Sequence, residues 1–170
     1  ELMRKYRVLT IEDTLELPVE SLRALQYNIL RMKVRSALLK SGTEVSADDG
    51  IRTSLRLGDS SLIIGEIRST EAEALYEAMR VGALANVVAG TIHGASPYGV
   101  FDRVVNDLKV PATSFKATDI IVVCNPIKSA DGLHSWKRML HLTEVRKHWK
   151  QDPLIEKGFV DVLKYNVKKD

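Results

Sequence analysis

Cysteine is nearly missing from this sequence: among 170 residues only Cys124, in the apolar run "IIVVC", carries a thiol. A lone cysteine excludes an internal disulfide framework and fits a reducing compartment, and its apolar neighbours predict a core position rather than a reactive one. Also missing are a signal peptide and any apolar span of about 20 residues, so this stretch is expected not to cross a membrane by itself, while docking onto a membrane complex stays open. Charge of one sign is scarce as well. The net charge is +3 and no block of like charges precedes the Lys-rich end, so nothing demands a nucleic-acid partner. Internal repeats and low-complexity tracts are lacking. His134, His141 and His148 have no carboxylate or cysteine company at metal spacing, which assigns them no metal.

What is present is enough for a core. With 45% hydrophobic residues, the chain is expected to form one domain over residues 1–145, followed by a basic surface tail over 146–170. "RVLTI" (Arg7–Ile11) reads as a strand and runs into the acidic loop "EDTLELP" (Glu12–Pro18). Val19 to Lys40 is mostly helix-compatible, and a short helix is expected to begin near Ala47. Leu62 to Gly65 reads as a strand buried on both faces. The next element is a helix, with Thr70 and Glu73 as a capping box, Ala72, Leu75, Tyr76 and Met79 at helical spacing, and Gly82 at its left-handed end. "NVVAGTIHGASP" (Asn86–Pro97) gives a second buried strand, and Ser96-Pro97 opens a helix with Val100, Phe101, Val104, Val105 and Leu108 on one face. "DIIVVCNP" (Asp119–Pro126) is a third strand of the buried type, after which Asp131-Gly132 marks a turn into an alternating strand through Leu140 and Leu142. Strands alternating with helices predict an α/β three-layer fold with a largely parallel sheet.

Polar residues come directly after three of these strands: Glu12 and Asp13, then Glu66 with Arg68, then His93. In a parallel sheet all three groups project from one edge, where α/β proteins carry their chemistry. Glu66 is placed to orient a water or to bind the water shell of Mg2+, and Glu12, Asp13 and Glu16 are placed to serve the same ion. Arg35, Arg52, Arg56 and Arg68 offer paired donors to a phosphoryl group. Taken singly, each group has a plainer explanation. A Glu-x-Arg is commonly a surface ion pair, an acidic loop a solvated turn, and a lone histidine a hydrogen-bonded structural residue.

"IEDTLEL" (Ile11–Leu17), "SLRLGDSSLIIGEIRSTEAEALYEAMRVG" (Ser54–Gly82) and "AGTIHGASP" (Ala89–Pro97) resemble, in order and spacing, the Asp box, Walker B box and His box of the type II/type IV secretion ATPases. That superfamily includes pilus assembly and retraction motors, archaeal flagellar motor ATPases and conjugation ATPases. The tail "LTEVRKHW" looks like archaeal members. The resemblance implies a RecA-like P-loop NTPase core, ATP and Mg2+ as cofactors, and a hexameric ring working at the inner face of the cell membrane with a membrane platform protein. It implies that Glu66, Glu12 and His93 are catalytic, that Glu12 and Glu66 lie at the metal, and that Glu16, Asp13, Arg56 and Arg35 contact the nucleotide or its metal. Arg68 also has a match in the Walker B box.

The sequence departs from that pattern in places. No G-x-x-x-x-G-K-[ST] occurs in the 170 residues, so the expected core lacks its first strand and phosphate loop. Gly58-Asp59-Ser60 replaces the usual approach to the Walker B strand, and Ala83 stands where a Gly-His pair is common. The expectation is therefore the catalytic-box half of an ATP-hydrolysing motor that powers secretion or assembly of pilus- or flagellum-like filaments, inactive when isolated. The alternative is a non-catalytic assembly module of the same fold that docks on a partner ring.

Overall fold

The computed structural model describes residues 6–36, 45–57, 60–81 and 87–169. Within these the chain divides into two compact units, Glu1–Ile92 and His93–Asp170, where the sequence suggested one domain and a tail.

The first unit holds a four-stranded parallel sheet in the order β2-β1-β3-β4. β1 (Arg7–Glu12) is buried from Val8 onward because it has a strand on each side and helices on both faces. Side chains alternate along a strand, so Val8 and Ile11 point to opposite faces. Val8 packs with Val19 of α1 (Val19–Ala24), with Ile29 of β2 (Ile29–Lys33) and with Ile63 of β3 (Ser60–Ile64). On the other face α2 (Ala47–Ser54) lies so close that a Cβ on Gly50 would stand 3.1 Å from Val34 Cγ1 and 3.8 Å from Ile11. This gives the expected three layers.

Two readings of this unit change. Val19 to Lys40, expected to be mostly helix-compatible, holds among its described residues a six-residue helix and then β2. β4 (Val88–Gly90) is a three-residue edge strand whose Ala89 and Gly90 are exposed, not a strand buried on both faces. The helix α3 (Glu71–Val81) forms as expected, with Ala72, Leu75 and Tyr76 buried. Its proposed glycine cap at Gly82, and the departures at Gly58, Asp59 and Ala83, lie outside the described residues.

In the second unit α4 (Pro97–Asp102) starts as its sequence predicts, with Pro97 in its first turn and the Ser96 hydroxyl accepting the Gly99 N–H at 3.0 Å. It continues through a wider π turn over Arg103–Asp107. Phe101 meets Phe115 of α5 (Ala112–Phe115) and Trp149 edge-on, at centroid distances of 5.1 and 5.6 Å. A three-stranded antiparallel sheet, β5 (Ile120–Lys128), β6 (Ser135–Val145) and β7 (Phe159–Lys164), completes the unit. β5 is thus not a third parallel strand. It alternates buried and exposed as a sheet with one covered face does, and this places Cys124 on the exposed side rather than in a core. The segment read as a surface tail supplies β7 and Trp149, which has no exposed surface.

Candidate functional site

The C-terminal ends of β1 and β3 lie side by side, since Ile11 pairs with Ile64. The loop that leaves β1 is governed by Glu12, whose side chain is fully buried. Its Oε1 accepts the backbone N–H groups of Glu16 at 2.9 Å and Leu17 at 2.8 Å, so the carboxylate closes the acidic loop onto its own strand. Arg31 of β2 approaches Glu12 Oε2 at 3.4 Å with Nε, an ion pair without hydrogen-bond geometry, and donates from Nη2 to Leu17 O at 2.6 Å. Gly65 lets β3 end against this carboxylate: a Cβ there would stand 3.1 Å from Glu12 Cγ. Glu12 therefore shapes the loop and does not line the cleft beside it.

That cleft encloses about 540 Å³ and is lined by Asp13, Glu66, Arg68, Glu71, Arg35 and Asp48 among others. Arg68 is its pivot. The guanidinium hydrogen-bonds Glu66 and stands 3.5 Å from Asp13 Oδ2. The hydrogen bond to Glu66 and then the charge of Glu66, with smaller contributions from Asp13 and Glu16, hold Arg68 more firmly protonated than an ordinary arginine. Asp13, Glu16 and Glu66 are thus the carboxylates gathered around one cation.

Glu71 fixes the turn that carries Glu66 and Arg68. Its Oε1 accepts the N–H groups of Arg68 and, at 2.8 Å, Ser69, while Oε2 accepts the Ser69 hydroxyl at 2.6 Å. Burial pushes the Glu71 carboxyl up, but these hydrogen bonds to the ionised form outweigh it and leave the group below the usual carboxylate value. Glu71 is thus a carboxylate that secures this turn.

Of the sequence-predicted residues, Asp13, Glu66 and Arg35 line the cleft, and Glu16 is exposed on the adjoining loop. Arg56 is exposed just past α2, and Arg52 pairs with Asp48 at 3.2 Å and Glu77 at 3.8 Å on the helix surface. His93 is exposed and opens the second unit, whereas the cleft is built from the first unit alone. Arg31 and Glu71 were missed. Arg31 would have been visible only once "ILRMK" was read as a strand with Arg31 in register with Thr10. Glu71 would have been visible as an acid directly after Ser69-Thr70, a helix-start pattern.

Among the described residues no three His, Cys, Asp or Glu gather closely enough to hold a metal ion unaided. Asp13 and Glu66, with about one-fifth of each side chain exposed, offer two oxygen donors at the cleft. That set suits Mg2+, which keeps several waters and takes one or two carboxylates beside phosphate oxygens.

A parallel sheet with helices on both faces and a polar cleft at its strand ends defines a three-layer α/β protein. The sequence profile described as "Type II/IV secretion system protein" matches residues 2–135, and the chain belongs to that family. It is 27% identical over 166 residues to the uncharacterized protein MJ1287 of Methanocaldococcus jannaschii, covering 96% of this chain and 57% of that one. A second uncharacterized protein of that organism, MJ0781, is 35% identical over 83 residues, or 47% of this chain and 10% of its own length. Among solved structures, the VirB11 ATPase of the Brucella suis type IV secretion system, in complex with sulphate, superposes with a TM-score of 0.62 at 18% identity, covering 84% of this chain and 41% of its own. The Legionella pneumophila ATPase DotB gives 0.59 at 16% identity, covering 81% and 36%. The chain therefore spans little more than half the length of MJ1287 and less than half of either solved ATPase.

Proposed function

We propose that this chain is the catalytic-box part of an ATP-hydrolysing, Mg2+-dependent motor of a secretion or filament-assembly system, acting in a hexameric ring at the inner face of the cell membrane with a membrane platform protein. The observation that carries the reading is the meeting of Asp13, Glu66 and Arg68 at adjoining parallel strand ends, with the charge of Glu16 reaching the same guanidinium. Membership of the secretion-protein family and the fold shared with two ATPases support it.

In this reading Glu66 holds the attacking water by accepting its hydrogen bond. Asp13 and Glu66 would hold the water shell of Mg2+, and Glu16 lies on the loop beside them. The metal, when bound, neutralises charge on the phosphate oxygens. Arg68 holds Glu66 aimed until the nucleotide competes for the guanidinium. Arg35 at the cleft wall, and Arg56 from this or a neighbouring subunit, are the cations for the phosphates, and His93 is the sensor of the terminal phosphate. Glu12 acts on this site through the loop it closes and is a positioning residue.

The test is steady-state ATP hydrolysis by the whole protein carrying Glu66→Gln. Turnover should fall by about 100-fold or more with nucleotide affinity retained, because the amide no longer orients the water as a carboxylate does. Turnover near that of the unaltered protein removes Glu66 from the chemistry. The 170-residue chain by itself is expected to turn over no ATP. A second reading is an assembly module of the same fold that docks on a partner ring without catalysis. Absence of ATP binding by the whole protein would select it.

A further inference from the structure

The chain has two tryptophans with opposite surroundings. Trp149 has no exposed surface, whereas Trp136 is 46% exposed near the tip of the β5–β6 hairpin. At the turn itself Leu133 is 79% exposed, and Ile127 faces Trp136 across the ladder. Lys128, Lys137 and Arg138 flank these apolar groups, and between Ile127 and Arg138 the sole acid is Asp131. The turn is cross-braced. Ser129 N–H donates to His134 O at 3.0 Å, Gly132 N–H to Ser129 O at 2.9 Å, and His134 N–H to Ser129 Oγ at 3.0 Å. Asp131 Oδ1 accepts the Leu133 N–H at 3.0 Å and the Ser129 hydroxyl. The carboxylate thus braces the turn, and Leu133 is held outward.

We propose that the tip of this hairpin docks on an anionic lipid bilayer, with Leu133 and Trp136 entering the headgroup region and Lys128, Lys137 and Arg138 meeting lipid phosphates. Tryptophan prefers the membrane–water interface, and lysine and arginine are drawn to anionic lipid surfaces. An aliphatic apex has no counterpart on a sugar-phosphate backbone, which separates this tip from a basic and aromatic nucleic-acid platform. Asp131, ionised in the turn, limits the depth to headgroup level, so binding is reversible and salt-sensitive.

This docking gives the peripheral membrane location proposed above a specific surface and stands on the hairpin's own residues. None of them lines the cleft, so loss of lipid binding and loss of ATP turnover are separable results.

The experiment mixes the 170-residue chain with phosphatidylcholine vesicles, with and without phosphatidylglycerol, and tracks tryptophan emission and co-sedimentation. Because Trp149 is enclosed, a blue shift reports Trp136. The expected result is a shift and co-sedimentation with the anionic vesicles only, both reversed by high salt. Leu133→Ser, at an exposed turn position that leaves the fold intact, should weaken binding about tenfold or more. Lys128→Glu with Lys137→Glu should abolish it. Failure to bind anionic vesicles, or equal binding by Leu133→Ser, overturns the proposal. So does a shift produced by a single-stranded oligonucleotide but not by vesicles, which would assign the tip to nucleic acid.

Discussion

Glu12 shows how one buried carboxylate can organise a site it does not enter. Its partners are two backbone N–H groups and Arg31, all supplied by the loop and strand beside it, and its side chain has no contact with solvent. Glu12→Gln leaves Arg31 with only the more distant, exposed Glu20 at 3.7 Å and weakens the charged hydrogen bonds that close the loop, so it should cost about 2 kcal/mol in stability. Urea unfolding of the variant beside the unaltered chain checks this; an unchanged midpoint would show that Glu12 does not secure the loop. Cys124 offers a second test. Its thiol lies on the exposed side of β5 and should react with a thiol reagent in the folded chain as readily as in denaturant. A thiol protected until unfolding would place it in a core, as its apolar neighbours in the sequence suggest.

Two short connections decide the shape of the first unit's site. α1 ends without a glycine: Gln26 takes the left-handed conformation, with φ at 65°, while Tyr27 N–H reaches back to Leu22 O at 3.1 Å. A non-glycine residue is strained there, so Gln26→Gly should raise stability by about 0.5–1 kcal/mol, measured by thermal or urea unfolding, and a loss would contradict this account of the turn. The β3–α3 turn depends on Glu71. Its folded pKa lies below the ordinary value of 4.5, so on acidification the unfolded chain takes up this proton first. The stability it contributes is whole above about pH 4.5 and is lost as pH falls through the lower folded value. Glu71→Gln should therefore be less stable at neutral pH by about 2 kcal/mol, and the gap should close under acid. A gap independent of pH would rule out the carboxylate's charge as its source. These connections also explain what the sequence did and did not disclose. Buried strands with acids behind them, such as "VLTIED" and "LIIGEIR", announce themselves through long apolar runs. β2 did not, because "ILRMK" is short, mixes apolar with basic residues and comes after a helix whose end carries no glycine. Glu71 was hidden by the more familiar Thr70–Glu73 spacing. Side-chain bonds such as Glu12 to Leu17 N–H depend on loop geometry that periodicity does not encode.

At the scale of the whole molecule, the parallel sheet and the antiparallel sheet belong to separate compact units. The alternation of strands and helices revealed the first. The second was read as more of the same sheet because "DIIVVCNP" is as apolar as a central strand, although its partners prove antiparallel. Of the site residues expected from the sequence, Glu12 and Glu66 lie in the first unit and His93 at the start of the second. The most direct measurement compares Glu66→Gln and Glu12→Gln in the complete protein, recording ATP turnover per folded molecule. The account predicts that Glu66→Gln abolishes turnover at unchanged stability, while Glu12→Gln lowers stability and the molecules that remain folded still hydrolyse ATP. Undiminished turnover with Glu66→Gln, or complete loss with a fully stable Glu12→Gln, would contradict it.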